Sequence, residues 1–299
     1  QKSIYYIQFF IFVFYSVQIQ ESIFKCSNYF NKELIMSYIL HLIICIVTFF
    51  NINQIYAYTY ENNIASLKQY QCPDWFRDAK FGIYLHWGAY SVAEQGEWYA
   101  RNLYIEGRKE YKHHLKNYGH PSEFGYKDFI PMWKAERFDP DKLLALFKEA
   151  GAKYFTPCAV HHDNFDLWDS TYHPWNAVNM GPKKDLIRMW KEATDKAGLR
   201  FGVTTHLSRR YSWLNTANQS DTKGSKKDVP YDGAQGKALG LYPSNDGQST
   251  HPRAPFDPPV SWREHWAKRI KQLIDDYQPD HLYFDCAIPF RGSDEGKTG

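Results

Sequence analysis

The sequence predicts an α/β fold of the (β/α)8-like, TIM-type barrel class, with about the first half of the barrel present. Three observations lead there. From Pro73 onward strand and helix signals alternate, the pattern of a parallel sheet covered by helices. Apolar runs of strand type stop abruptly at ionisable residues: FGIYLHWG at His86, YFTPCAVHHD at His161, His162 and Asp163, LRFGVTTHLS at His206, and HLYFD at Asp285. Strands that open into polar clusters at their carboxyl ends are how barrels and doubly wound sheets present chemistry. Four such strand–helix units can be read, where a full barrel has eight in roughly 250 residues.

Ahead of the barrel, the chain begins at Gln1 and its first methionine is Met36. Residues 1–35, rich in Ile, Tyr, Phe and Asn, read as upstream translation or a leader. Residues 36–57 read as a signal peptide, with an apolar core at 38–50, a polar stretch, and the small residue Ala57 as cleavage point. That core is short for a bilayer span. No Lys or Arg lies in the segment, so its positive charge rests on the α-amino group; an N-terminal membrane anchor is the competing reading. Residues 58–299 are then the partial catalytic barrel, exported to the outside or to a periplasm.

Within the barrel, DWFRDAKFGIYLHWG runs from an amphipathic lead-in into the first strand, and GEWYARNLY follows as a loop carrying Glu97 and Trp98. Residues 104–126, rich in Tyr, His and Lys, form a partly helical excursion. Asp139-Pro140-Asp141 caps a helix with Leu143, Leu144, Leu146 and Phe147, stopped at Gly151. After the second strand, a helix over 184–197 turns Leu186, Ile187, Met189 and Trp190 inward and ends at Gly198. The third strand is 199–208. Residues 215–260 are polar and lack any period, so they read as a lid or active-site loop over the carboxyl face. A capping box, Ser261 to Glu264, opens a helix with Trp266, Ile270, Leu273, Ile274 and Tyr277 on one face. Pro279 halts it before the fourth strand.

The 43% hydrophobic content supports a large core, and a net charge of +3 gives no case for nucleic acid or a stable membrane partner. Five cysteines without a CxxC spacing argue against a disulfide framework or structural zinc. The aromatic content is high, at 10 Trp, 23 Tyr and 20 Phe, which suits either an aromatic core or platforms for sugar rings. Burying so many polar strand ends without a function is costly. Two chemistries fit His86, His161, His162, His206 and Asp285. They can bind a divalent metal for hydrolysis. Alternatively, neutral histidines can hold sugar hydroxyls while Asp285 attacks an anomeric carbon. Trp87, Trp98 and Trp168, beside the polar groups, favour the sugar.

KFGIYLHWGAYSV, GEWY, HHDNFDLWDS and YQPDHLYFD resemble, in order, the motifs of glycoside hydrolase family 29, the retaining α-L-fucosidases; the likeness runs over about residues 73–291. It implies an exo-acting hydrolase that removes terminal α-L-fucose from glycans by double displacement, without metal or organic cofactor, on a fucosylated oligosaccharide or glycoconjugate. By position, Asp285 corresponds to the nucleophile, and His86, Glu97, Trp98, His161 and His162 to residues that bind the fucose ring. His206 is a further substrate-binding expectation. Cys286 stands where the family leads one to expect Gly, and narrows the pocket. The family's acid/base residue lies beyond Gly299, so the present chain is expected to be inactive by itself; Glu295 is the in-chain candidate. Asp163, Asp166 and Asp169 read as supporting or surface carboxylates, and Asp280 as orienting the fourth strand's entry. A non-catalytic fucose-binding protein derived from the enzyme is the remaining alternative.

Overall fold

The computed structural model describes residues 41, 60–61, 63–207, 210–243 and 258–285. The expected signal-peptide core, His41 apart, Cys286 and Glu295 lie outside them. The chain divides into two units, Gln1–Gln71 and Cys72–Gly299. In the first, Asn63 caps a one-turn helix, Ile64–Leu67, by accepting the Ser66 amide at 2.8 Å.

The second unit carries the sheet. Strands β1 (Gly82–Leu85), β2 (Tyr154–Val160), β3 (Arg200–Thr205) and β4 (His281–Phe284) are all parallel and lie in the order β1-β2-β3-β4. Four helices of nine residues or more are described: α1 (Lys109–Asn117), α2 (Pro140–Glu149), α3 (Leu186–Ala197) and α4 (Val260–Tyr277). Consecutive parallel strands joined by helices, each strand beside its predecessor, are the build of a (β/α)8 barrel followed for its first four strands.

The helix boundaries follow the local chemistry. Asp139 accepts the Lys142 amide at 3.0 Å, with Pro140 as the first helical residue of α2. Asp185 does the same for Arg188 at 2.8 Å, so α3 starts at Leu186, two residues later than expected. Gly198, at φ +70°, ends α3 in the left-handed region that glycine enters freely. The predicted capping box does not form. Helix α4 begins at Val260 behind Pro259, which has no side-chain cap, and Ser261 falls inside the first turn.

The core lies between sheet and helices. Phe155 of β2 packs against Phe147 of α2 (ring centroids 5.4 Å) and Trp190 of α3 (4.8 Å), with Leu144, Leu186, Phe201 and Val203 buried around them. The opposite, inward face of the sheet is where alternate residues point. It is close-packed at its base, where a Cβ on Gly82 would run into the Tyr154 ring. Higher up it opens: Tyr84 and Tyr283 are 41% and 44% exposed. Among the described residues β1 pairs only with β2 and β4 only with β3.

The region expected to be a structureless lid is anchored instead. Its described part contains a short helical turn, Leu214–Asn218, and isolated bridges Ser220–Pro230 and Asp221–Lys227. Tyr231, Asp232, Leu241 and Tyr242 are buried in it. The Asp221 carboxylate accepts hydroxyls from Tyr111 and Tyr231 and faces His120 Nε2 at 3.1 Å. Asp232 accepts hydroxyls from Tyr104 at 2.7 Å and Tyr242 at 3.1 Å. These carboxylates bind the segment to the 104–126 excursion.

Candidate active site

Each ionisable strand end sits one or two residues past its strand, so the sheet delivers all of them to one edge. His86 follows β1, His161 and His162 follow β2, His206 follows β3, and Asp285 follows β4. The ladder extends to fix two of them. The His206 amide donates to the Val160 carbonyl at 2.9 Å, and the Asp285 amide to that of Thr205 at 3.2 Å.

The histidine side chains form a contiguous cluster. His161 lies with its ring centroid 4.3 Å from His206, 4.7 Å from His162 and 5.1 Å from His86. The Nε2 atoms of His86 and His206 are 2.9 Å apart. Asp285 Oδ2 is 3.4 Å from His206 Nε2 and 3.9 Å from His86 Nε2. Between them stands a residue not singled out in the sequence. The Tyr84 hydroxyl is 3.0 Å from His86 Nε2, 3.0 Å from His206 Nε2 and 2.9 Å from Asp285 Oδ2. Tyr84 precedes His86 by two positions, and strand alternation puts both on one face. That arithmetic was the available signal.

The rim is aromatic. His162 stacks on Trp213 with centroids 4.2 Å apart at 25°, and Trp98 meets Trp213 edge-on at 5.1 Å. Arg101 donates to the Trp213 carbonyl and lies over its ring. Trp98 is exposed and Glu97 beside it is exposed too, its charge reaching His86. Trp213 had no sequence signal, since it stands in no strand and no periodic stretch. Trp87 and Trp168, expected beside the polar groups, are not part of this rim. Trp87 packs onto Trp133 and Phe138, where it helps line a cavity of about 820 Å³ that His86 also borders. Trp168 is fully buried under Arg269.

Electrostatically, burial disfavours the charged forms of His161 and His86. Burial pushes His161 well below the ordinary histidine pKa, reinforced by the neighbouring histidines. Burial also lowers His86, against the opposing charges of Asp285 and Glu97. A neutral imidazole offers one donor and one acceptor, the complement of a hydroxyl. His161 Nδ1 and the Tyr90 hydroxyl are buried with no hydrogen-bond partner among the described residues, their rings lying 5.1 Å apart centroid to centroid. Buried polar atoms left in this state at a functional edge are the natural seats for a polar ligand. Ligand atoms of His86, His161 and His206 also lie within 4.8 Å of one another, close enough for the three to hold a metal after small movements.

The acidic residues after β2 serve the frame. Asp163 is buried, accepts the Tyr126 hydroxyl at 2.7 Å, and has its pKa pushed up to about 7 by burial. Asp166 forms a fully buried forked pair with Arg269 of α4. Asn164, at φ +59°, turns the chain in the left-handed conformation that Asn tolerates better than most residues. Its amide donates to the Gly240 and Leu241 carbonyls and accepts from Arg269. Asp280 bridges strand entries as expected, accepting from Arg200 at 2.8 Å and from the Phe201 amide at 3.1 Å.

Comparison with known proteins adds an independent finding. The family model described as alpha-L-fucosidase matches residues 48–296. Human plasma alpha-L-fucosidase is 36% identical over 223 residues, covering 74% of this chain and 40% of that protein. The structure of Thermotoga maritima alpha-fucosidase in complex with fucose aligns with TM-score 0.59 and 31% identity, over 80% of this chain and 52% of that one. The same enzyme with a mechanism-based inhibitor gives 0.61 at 31% identity, with the same coverage. The chain thus spans less than half the length of the human relative.

Proposed function

The chain belongs to the alpha-L-fucosidase family, and from that premise we propose that the complete protein is an exo-acting glycosidase. It removes terminal α-L-fucose from fucosylated oligosaccharides or glycoconjugates by a retaining double displacement. The observation that carries the reading is the meeting of one carboxylate, Asp285, with neutral histidines and unpartnered polar atoms at the carboxyl edge of a parallel sheet.

In the first step an electron pair of the Asp285 carboxylate forms a bond to the anomeric carbon. The bond from that carbon to the leaving oxygen breaks, and a second carboxyl group gives that oxygen its proton. Water then reverses the process, and retention requires the two carboxyls to stand about 5–5.5 Å apart. Among the described residues Asp163 and Asp166 are held in hydrogen bonds within the frame, so the acid/base group is assigned outside the described residues. His86, Glu97, His161, His162 and His206 hold the ring hydroxyls, in contacts that strengthen as positive charge builds on the sugar. Trp98 and Trp213 offer apolar surface for the 6-methyl group. Export through the 36–57 segment puts the enzyme where glycans are; among the described residues no helix is long and apolar enough to cross a membrane.

The test is hydrolysis of aryl glycosides by the protein made from its full reading frame, with Asp285→Ala and with chelator alongside. Selective α-L-fucoside turnover, lost in Asp285→Ala and indifferent to chelator, is expected, with none from residues 58–299 alone. Turnover abolished by chelator would instead support a metal held by His86, His161 and His206. Fucose binding without turnover would mark a binding protein.

A further inference from the structure

Tyr84 stands on β1 with its ring inside the sheet's open face and its hydroxyl at the centre of the polar cluster. A phenol has one proton to donate and two lone pairs to accept with. Three groups lie within 3.0 Å of it: two imidazoles, which can donate or accept, and a carboxylate, which when ionised only accepts. The proton therefore goes to Asp285 Oδ2, and a lone pair is left to accept from the His86 or His206 ring nitrogen that carries its proton on this side. Burial keeps the phenol protonated, pushing its pKa far up.

The two oxygens of Asp285 are held unequally. Oδ2 has Tyr84 at 2.9 Å and His206 Nε2 at 3.4 Å. Among the described residues Oδ1 has only a long approach from the Tyr283 hydroxyl at 3.5 Å. From β1, β3 and β4, the groups facing this carboxylate are Tyr84, His86, His206 and Tyr283; β2 contributes His161, behind the other two histidines. A carboxylate fixed by one oxygen cannot rotate freely about its Cβ–Cγ bond.

We propose that the Tyr84 hydroxyl is a positioning group for Asp285: it holds Oδ2 and leaves Oδ1 as the atom that attacks the anomeric carbon. The inference rests on the reading of Asp285 as nucleophile. Near-attack geometry is worth much of a barrier, and a carboxylate swinging through several orientations forfeits it. Tyr84 touches the nucleophile directly and reaches the sugar-binding set through His86 and His206, so its removal acts more on the rate of covalent loading than on sugar affinity.

The experiment uses the protein from its full reading frame as wild type, Tyr84→Phe and Asp285→Ala. A 2-deoxy-2-fluoro-fucosyl fluoride loads the nucleophile by expelling fluoride, without needing a proton donor, and mass spectrometry locates the label. Fucose affinity is measured in parallel. Phenylalanine keeps the ring beside His86 and Tyr283. In Tyr84→Phe the labelling rate is expected to fall by about ten- to a hundredfold, the equivalent of one hydrogen bond to a charged group, with fucose affinity falling by clearly less. An unchanged labelling rate, or a loss of fucose affinity as large as the loss of labelling, overturns the inference. Wild-type protein that takes no label at Asp285 sinks the nucleophile reading itself, a result distinct from equal labelling of both proteins.

Discussion

At Asp163 the chain buries a carboxyl completely, and burial pushes its pKa up to about 7 against the hydrogen bonds from Tyr126 and the Phe165 amide. An unfolded aspartate ionises near pH ~4. Between about pH 4 and 7 the unfolded chain has therefore released a proton that the folded chain keeps, so this group's contribution to stability falls as pH rises and is level above that window. Asp163→Asn removes the titration. Relative to wild type, the variant is expected to gain on the order of 2–4 kcal/mol between pH 4 and pH 8, read by urea unfolding at both pH values. A difference between the two proteins that does not change with pH would mean that Asp163 is already ionised in the fold at low pH. At this scale the sequence was readable where chemistry interrupts a pattern: His86, His161, His206 and Asp285 break apolar strands, and a buried break needs a reason. Tyr84 and Tyr90 do not break the pattern, because a tyrosine in an apolar run reads as core until its hydroxyl is placed.

Elements show the same contrast. The strands and the helices α2, α3 and α4 follow from apolar spacing, caps and stops, with errors of a residue or two at α3 and the lost capping box at α4. The 214–243 segment was not readable, because it folds through pairings that have no period. Tyrosine hydroxyls from one excursion meet aspartates of another across more than a hundred residues: Tyr111 with Asp221 and Tyr104 with Asp232. Gly125 belongs to the same joint, since a Cβ there would strike the Asp232 carboxylate. Asp221→Ala strands two tyrosine hydroxyls and His120 together. A buried partner left unsatisfied costs about 1–3 kcal/mol, and the cost falls on this segment first. Faster hydrogen exchange and earlier proteolytic cleavage across 221–231 are expected, with the strands β2 and β3 still protected. Equal exchange in variant and wild type would show that the segment is held by its backbone bridges alone.

Across the whole molecule, four side chains separated by up to two hundred positions must arrive at one edge within hydrogen-bond distance, and the sheet alone does not ensure this for Asp285. Strand β4 pairs on one side only among the described residues, so its placement leans on α4, which leads directly into it. Helix α4 is in turn tied to the loop after β2 by Arg269, which is fully buried, forked onto Asp166 and bonded to Asn164. The loop that presents His161 and His162 is thus linked to the helix that sets Asp285. Removing one member of a buried ion pair leaves an uncompensated charge and typically costs about 3–5 kcal/mol, whereas replacing both with apolar residues of similar volume is often nearly neutral. Arg269→Met alone is therefore expected to lower stability by about that amount and to reduce fucoside turnover of the full-length protein more than fucose affinity. Arg269→Met combined with Asp166→Leu should recover most of the stability. If the pair only stabilises, the double variant also recovers turnover. If it also sets the register between the histidines and Asp285, stability returns and turnover does not, because Asn164 has still lost the guanidinium that fixes its corner. Unfolding curves and steady-state kinetics on the three proteins distinguish the two outcomes, and the link from the β2 loop to Asp285 predicts the second.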